Sequence, residues 1–313
     1  MNLANLTLQM LLGIIWGASF MFIKVGVPEM GWIVFPWLRV LIGALVLMAY
    51  IRLRGDRIPR DGHTWRLFLI QGLLGIAVPF MAIAWGTQYI ASGLSAILNA
   101  TMPMFTFVLA VLVGSEKLRL RSVVGLFIGL VGILVLMLPK LQPGMQTDLW
   151  GQLAVVGGAL SYACSAVFAR RYLVGQKAAI ASFGQLSTAA VLLAPLAMLQ
   201  RPWAMRPSSG AVASLLLLGV LGTGLAYLLY FKLIQDAGAT GAALVTYISP
   251  VFSIFWGWGV LSERLTWHAF VAFALILVGL LFVNGMVSQA RAQWDRRRGA
   301  RAAIAHASTA EDR

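Results

Sequence analysis

Residues 95–120, SAILNATMPMFTFVLAVLVGSEKLRL, and residues 242–267, AALVTYISPVFSIFWGWGVLSERLTW, carry one pattern twice, 147 residues apart. At that shift Pro103 falls on Pro250, Phe105 on Phe252, Ser115–Glu116 on Ser262–Glu263 and Leu118 on Leu265. The register runs outward without a gap. Gly132 meets Gly279, and Gly72 and Gly75 meet Gly219 and Gly222. Nearer the start, a shift of 146 sets Ser19 on Ser165, Lys24 on Arg170 and Arg39 on Gln185. Such self-similarity has to be read before a fold is assigned, because it defines the unit that packs.

Each copy is too apolar for water. Of 313 residues, 60% are hydrophobic and 11% charged, against about 25% charged in ordinary soluble domains. A helix needs about 20 apolar residues to cross a bilayer core. The chain divides into ten such segments, near 6–25, 31–51, 66–89, 92–114, 120–138, 149–169, 179–200, 211–232, 239–261 and 266–287. The runs are long and unbroken, which selects helices. Barrel strands would be short and alternating, and a lone strand leaves its backbone unpaired in lipid. Turn residues fill the connections, as at Pro28–Gly31, Gly55–Gly62, Ala91–Gly93, Pro139–Gly144 and Pro202–Gly210. The expected fold class is an all-α membrane protein of ten transmembrane helices in two five-helix repeats, 6–138 and 149–287. A basic, polar tail over 288–313 is expected to be disordered and cytoplasmic.

Lys and Arg in the loops set the orientation. With the N-terminus inside, the inner loops and tail hold eighteen basic residues, among them Arg52, Arg54, Arg57, Arg60, Lys117, Arg119, Arg170, Arg171 and Lys177. The outer loops hold five: Lys24, Lys140, Arg201, Arg206 and Arg264. Both termini are therefore expected to be cytoplasmic. Five spans per copy is an odd number, so the second copy enters the membrane from the opposite face and the repeats are inverted. Secondary transporters recurrently use this plan, with the solute site near the midplane between the halves.

Other classes find little support. The net charge of +14 suggests nucleic acid at first sight, but the basic residues lie between apolar spans, where they report topology. One cysteine, Cys164, cannot form an internal disulfide. His63, His268 and His306 show no ligand spacing, so no metal or cofactor is expected. There is no GxxxxGK[ST], HExxH or GxSxG, which leaves ATP-driven transport and membrane hydrolysis without a motif and argues against an enzyme. No Asp or Glu lies well inside a span, so a buried-carboxylate proton relay has no carrier. Residues 1–23 contain no Lys or Arg, and a signal peptide would need a basic start. The implied partners are a small-molecule solute and the lipid bilayer, with the chain a monomer or homodimer.

The stretches WGASFMFIK and WLRVLIGALVL resemble the first two helices of the EamA family, within the drug/metabolite transporter superfamily. SAILNATMPMFTFVLAVLVGSEKLRLRSVVGLFIGLVGILVL resembles its fourth and fifth helices, and AALVTYISPVFSIFWGWGVLSERLTWHAFVAFALILVGLLFV the second copy of them. The likeness spans residues 6 to 287. It implies ten spans in a bacterial inner membrane, both termini cytoplasmic, and export or exchange of metabolites such as amino acids. It also implies that the fifth and tenth helices pack away from the solute path. The second copy departs from the first, SYACSAVFAR standing where WGASFMFIK does, so the pocket is expected to be asymmetric.

Arg39 is the sharpest single candidate for the solute site. It falls about 12 Å below the outer end of its span by helical rise. An intramembrane charge marks function by default, and a guanidinium binds carboxylates bidentately. The competing reading is a charge satisfied by carbonyls or reaching the interface. Trp16, Tyr162, Tyr227, Tyr230 and Tyr247 form an aromatic set suited to a pocket or to packing. Trp85 reads as an interfacial anchor. Asn99, Thr101 and Thr246 precede Pro103 and Pro250, which free backbone carbonyls one turn earlier. Those prolines are hinge candidates. Gln185 lies deep in the seventh span, where bonds between helices compete with solute binding. Glu116, Glu263 and Lys24 sit at span ends as gate or anchor candidates. Besides a carrier of small polar or amphiphilic solutes, a passive facilitator or channel and a lipid-like solute translocator remain open. Reporter fusions after Arg60 and Lys177 should read cytoplasmic and one after Gln142 external; the opposite pattern overturns the charge argument.

Overall fold

Lipid offers the backbone no hydrogen-bond partners, so each span must satisfy its own amides, and the helix does so locally. In the computed structural model the described residues are 3–114, 117, 120–137, 146–230, 232–233 and 245–283; they are mostly helical and contain no strand. In chain order the helices are α1 (Leu3–Met30), α2 (Val34–Leu53), α3 (Gly62–Gly86), α4 (Ser92–Leu112), α5 (Leu120–Met137), α6 (Gln146–Tyr172), α7 (Ala178–Leu199), α8 (Ser209–Tyr230), α9 (Val245–Leu261) and α10 (Trp267–Val283). Among the described residues seven are long and apolar enough to cross a membrane, and α5, α9 and α10 contribute shorter apolar stretches. The tail over 288–313 and Glu116 lie outside the described residues.

Local chemistry fixes the ends. Asp61 caps α3, its Oδ1 accepting from Thr64 N–H at 2.7 Å. That bond holds the Asp61 carboxyl below the ordinary carboxylate range. Ser208 caps α8, and the Glu29 carboxylate at the end of α1 accepts from its N–H and its hydroxyl at 2.6 and 2.7 Å. Gly31, at φ 76°, turns the chain from α1 into α2. This turn delays α2 to Val34, so Arg39 lies nearer the helix start than a span from residue 31 implies. An ion pair between Lys177 and Asp56 ties the loop after α6 to the loop after α2.

Helix association in lipid relies on close packing rather than on expelling water, and here it relies on glycine. A Cβ on Gly17 of α1 would lie 2.8 Å from the Ser249 carbonyl oxygen of α9. One on Gly279 of α10 would lie 2.5 Å from the Gly125 oxygen of α5, and one on Gly132 of α5 would lie 2.9 Å from the Ala272 oxygen of α10. The last two contacts are each other's mates at the 147-residue shift. A second exchange joins Gly75 to Ser165 and Gly222 to Ser19. Whole helices follow suit: α1 packs on α8 and α9 as α6 packs on α3 and α4, and α2 meets α8 as α7 meets α3. Reciprocity of this kind is the signature of a two-fold contact.

Two helices share an irregularity. Leu73–Ala77 in α3 and Val220–Leu225 in α8 are π-helical, and their first residues are 147 apart. Such bulges free carbonyls within a helix and cluster at functional sites. α4 is interrupted by a turn at Ala100–Thr101, next to Pro103. Its mate Pro250 is instead accommodated inside α9. Gly279→Ala should lower the thermal midpoint of the detergent-solubilised protein, because a backbone oxygen cannot yield to the added methyl. Gly259→Ala, with open space around it, should leave the midpoint unchanged.

Candidate functional site

A cavity of about 230 Å³ lies among α1, α2, α3, α4, α6, α8 and α9. Trp16, Arg39, Asn99, Tyr162, Tyr227, Tyr230 and Thr246 reach it from six helices, and Pro250 joins them. Ser19, Phe20, Ile23, Phe80, Ile83, Ala96, Met102, Gly222 and Ser249 complete the wall. Sequence reasoning did not single these out, yet a signal for several was present. At the repeat shift Phe80 is the mate of Tyr227, Ile83 of Tyr230 and Met102 of Ser249. Tyr227 and Tyr230, named from the sequence, point to their mates; neither Met102 nor Ser249 was named.

Arg39 is buried, 8% exposed, in a chamber otherwise lined by aromatic, aliphatic and neutral polar groups. Its Nε donates to Thr223 Oγ1 at 2.9 Å. Its guanidinium carbon lies 4.1 Å from the centroid of the Phe80 ring, a cation–π distance. Its titratable neighbours are Tyr162 and Tyr227, and among the described residues no carboxylate pairs with it. Trp16 donates from its indole to the Gly222 carbonyl at 3.2 Å, inside the π segment of α8, and its ring lies 5.1 Å from that of Tyr230. Phe80 meets Tyr162 edge-on at 6.4 Å. The Asn99 side-chain oxygen is buried with no hydrogen-bond partner among the described residues. It stands one turn before Pro103, whose ring nitrogen cannot bond the Asn99 carbonyl.

The other candidates lie elsewhere. Thr101 is fully buried and turns its hydroxyl back to the Leu98 carbonyl at 2.7 Å, off the wall. Gln185 accepts from Gln71 Nε2 at 3.3 Å, and the same amide donates to Ser165 Oγ at 2.8 Å. This trio staples α3, α6 and α7. Pro103 begins the second half of α4, away from the cavity wall. Tyr247 is on α9, with its side chain outside the described residues. Trp85 stacks edge-on with Tyr89 at 4.9 Å and does not face the cavity.

Lys24 and Glu263 converge on the short connection between α3 and α4. Lys24 Nζ donates to the carbonyls of Thr87 and Ile90, at 2.7 Å each. The Glu263 carboxylate accepts from Ser92 N–H at 2.9 Å and from its hydroxyl at 2.7 Å. The cation therefore satisfies the carbonyls ending α3, and the anion caps the start of α4. Neither bond was visible in the sequence, since both pair a side chain with backbone in a distant loop.

A part-polar chamber enclosed by apolar helices, with a cation in its wall that no carboxylate pairs among the described residues, is what a membrane transporter presents to its solute. Comparison with known proteins agrees. The profile of the EamA-like transporter family matches twice, over residues 4–138 and 149–285, and the chain belongs to that family. The chain is 27% identical over 277 residues to the uncharacterized transporter YoaV of Bacillus subtilis, covering 87% of this chain and 93% of that one. It is 28% identical over 273 residues to the uncharacterized inner membrane transporter YedA of Escherichia coli K12, covering 85% and 88%. Protein PagO of Salmonella typhimurium is similar at 22% over 278 residues, covering 87% and 90%. A solved crystal structure superposes with a TM-score of 0.63 at 19% identity, covering 91% of this chain and 99% of that one. The chain is thus a membrane transporter of the drug/metabolite type.

Gln185→Leu should lower the thermal midpoint, because the buried Gln71 amide loses one of its two acceptors and keeps Ser165 alone, a loss of about 1–3 kcal/mol. Solute affinity should stay unchanged in the same variant, measured by binding in detergent.

Proposed function

We propose that this transporter carries a small metabolite with a carboxylate and an apolar or aromatic body, amino acids and related amphiphiles being the nearest class. The observation that carries the reading is Arg39, a buried guanidinium facing a cavity with no protein carboxylate paired to it among the described residues. An unpaired buried charge is costly, and a solute anion is the partner that relieves the cost. The aromatic wall of Trp16, Phe80, Tyr162, Tyr227 and Tyr230 receives the rest of the solute.

Transport proceeds by alternating access between two inverted five-helix repeats, as secondary-active export or exchange in a bacterial inner membrane with both termini cytoplasmic. The 147-residue register, the matched π segments and the exchanged glycine contacts support the repeat. The cavity lies between the exchanged helices, where inverted repeats bind solute. Lys24 and Glu263, holding the α3–α4 connection, are suited to gate one mouth, and Pro250 in the wall to act as a hinge.

In proteoliposomes loaded with a panel of labelled amino acids and monocarboxylates, one or more carboxylates should move, with acceleration by unlabelled solute on the far side. Arg39→Gln should reduce flux of that carboxylate at least about tenfold and spare its amide analogue, since the lost contact is a charge-assisted pair. Undiminished carboxylate flux in a well-inserted Arg39→Gln variant removes Arg39 from the site. Flux without counterflow acceleration favours a passive facilitator.

A further inference from the structure

The geometry points to Thr223 as the residue that positions Arg39 for an end-on carboxylate, through the π segment of α8; this rests on the carboxylate reading of the cavity. Thr223 is fully buried. Its hydroxyl donates to the Leu218 carbonyl at 3.0 Å, five residues back. With the proton committed there, the hydroxyl lone pairs are left to accept from Arg39 Nε at 2.9 Å. A hydroxyl offers one donor and two acceptor sites, so the direction of both bonds is settled by chemistry: a guanidinium can only donate.

The clamp acts on two sides of the guanidinium. Thr223 takes the Nε edge, and the guanidinium carbon lies over the Phe80 ring, 4.1 Å from its centroid. What remains is the edge carrying the two terminal nitrogens, whose parallel N–H groups match the two oxygens of a carboxylate. A side chain with this many torsions would otherwise sample many directions in the chamber. Held as it is, it presents one edge to the solute.

The protein makes room for the contact. A Cβ on Gly43 would lie 2.6 Å from Thr223 Cγ2. Gly43 is one turn beyond Arg39 on the same face of α2, so the helix that carries the cation also carries the notch for its partner. The other copy lacks both members of the pair. At the repeat shift Arg39 corresponds to Gln185 and Thr223 to Ile76, an aliphatic residue with no acceptor. Leu218, whose carbonyl orients Thr223, corresponds to Gln71, which pairs with Gln185 through its own side chain. The π segment exists in both copies, and the second alone has a hydroxyl in it at this position.

Thr223→Val removes the acceptor and keeps the shape, whereas Thr223→Ser keeps the acceptor. Phenylacetate and phenylacetamide serve as probes, an aromatic body with and without the charge. In proteoliposomes Thr223→Val should raise the KM for phenylacetate about tenfold with little change in maximal flux. Thr223→Ser should restore the wild-type KM, and the KM for phenylacetamide should be the same in all three proteins. An unchanged phenylacetate KM in Thr223→Val overturns the assignment, as does an equal rise in Thr223→Ser. A separate readout needs no solute. In ¹⁵N-arginine-labelled protein, the Arg39 Nε–H signal, identified by its loss in Arg39→Lys, should be protected from solvent exchange in wild type and Thr223→Ser and unprotected in Thr223→Val. Equal protection in Thr223→Val overturns the assignment whatever the flux assays give. Wild-type protein that handles phenylacetate no better than phenylacetamide, with the protection pattern intact, overturns the carboxylate reading alone and leaves Thr223 as the residue that orients Arg39.

Discussion

Backbone-to-backbone approach at glycine is the contact on which this bundle depends. In lipid, neighbouring helices gain little from burying leucine against leucine, because the tails are as apolar as the side chains. Association has to come from dispersion at short range, which falls steeply with even small gaps. Gly17 against Ser249, Gly132 against Ala272 and Gly279 against Gly125 let main chains close to distances that a methyl group would forbid. Once these seams are fixed, the remaining helices have little freedom, and the space they cannot fill becomes the cavity.

The same seams bring polar groups together inside the membrane. The π segments of α3 and α8 lie beside glycines at corresponding positions, and each presents groups that a regular helix would keep internal. In α8 the Gly222 carbonyl receives the Trp16 indole, and Thr223 receives Arg39. In α3 the neighbouring Leu74 carbonyl receives the Ser161 hydroxyl at 2.7 Å. Irregular backbone is tolerated at membrane depth where protein or a cavity covers it, and both segments meet that condition.

Much of this was legible in the sequence, and the reasons differ by element. The glycine seams were announced by pairs such as Gly132 and Gly279, since only a residue without Cβ serves a main-chain contact and the shift placed them together. Arg39 was conspicuous because a charge amid apolar residues has few innocent explanations. Thr223 was not, because threonine is common in apolar helices and usually bonds its own turn. The π segments left no mark in periodicity, and periodicity fixes helix type poorly over five or six residues. Thr101 and Gln185 illustrate the opposite limit. Both were polar and deep, but a side chain's spacing along one helix does not say whether its neighbour will supply a carbonyl, an amide or a void. Thr101 found the Leu98 carbonyl and Gln185 found Gln71.

The wall of the cavity turns a near-symmetric frame into an asymmetric site. Ten of its residues fall into mates at the repeat shift: Trp16 with Tyr162, Phe80 with Tyr227, Ile83 with Tyr230, Asn99 with Thr246 and Met102 with Ser249. Each pair keeps its place and changes its chemistry. In three of the five the second copy adds a hydroxyl where the first is purely hydrocarbon or thioether. Arg39 breaks the pattern more strongly, since its mate Gln185 is drawn out of the cavity by Gln71. One half of the chamber therefore offers hydroxyls, and the one guanidinium is anchored across the interface by a threonine of the opposite copy. On the alternating-access mechanism proposed above, two copies related by such exchanges would supply the two equivalent ways to pack. A solute with distinct ends needs a site without that symmetry, and here substitution within matched positions provides it while the frame is left unchanged.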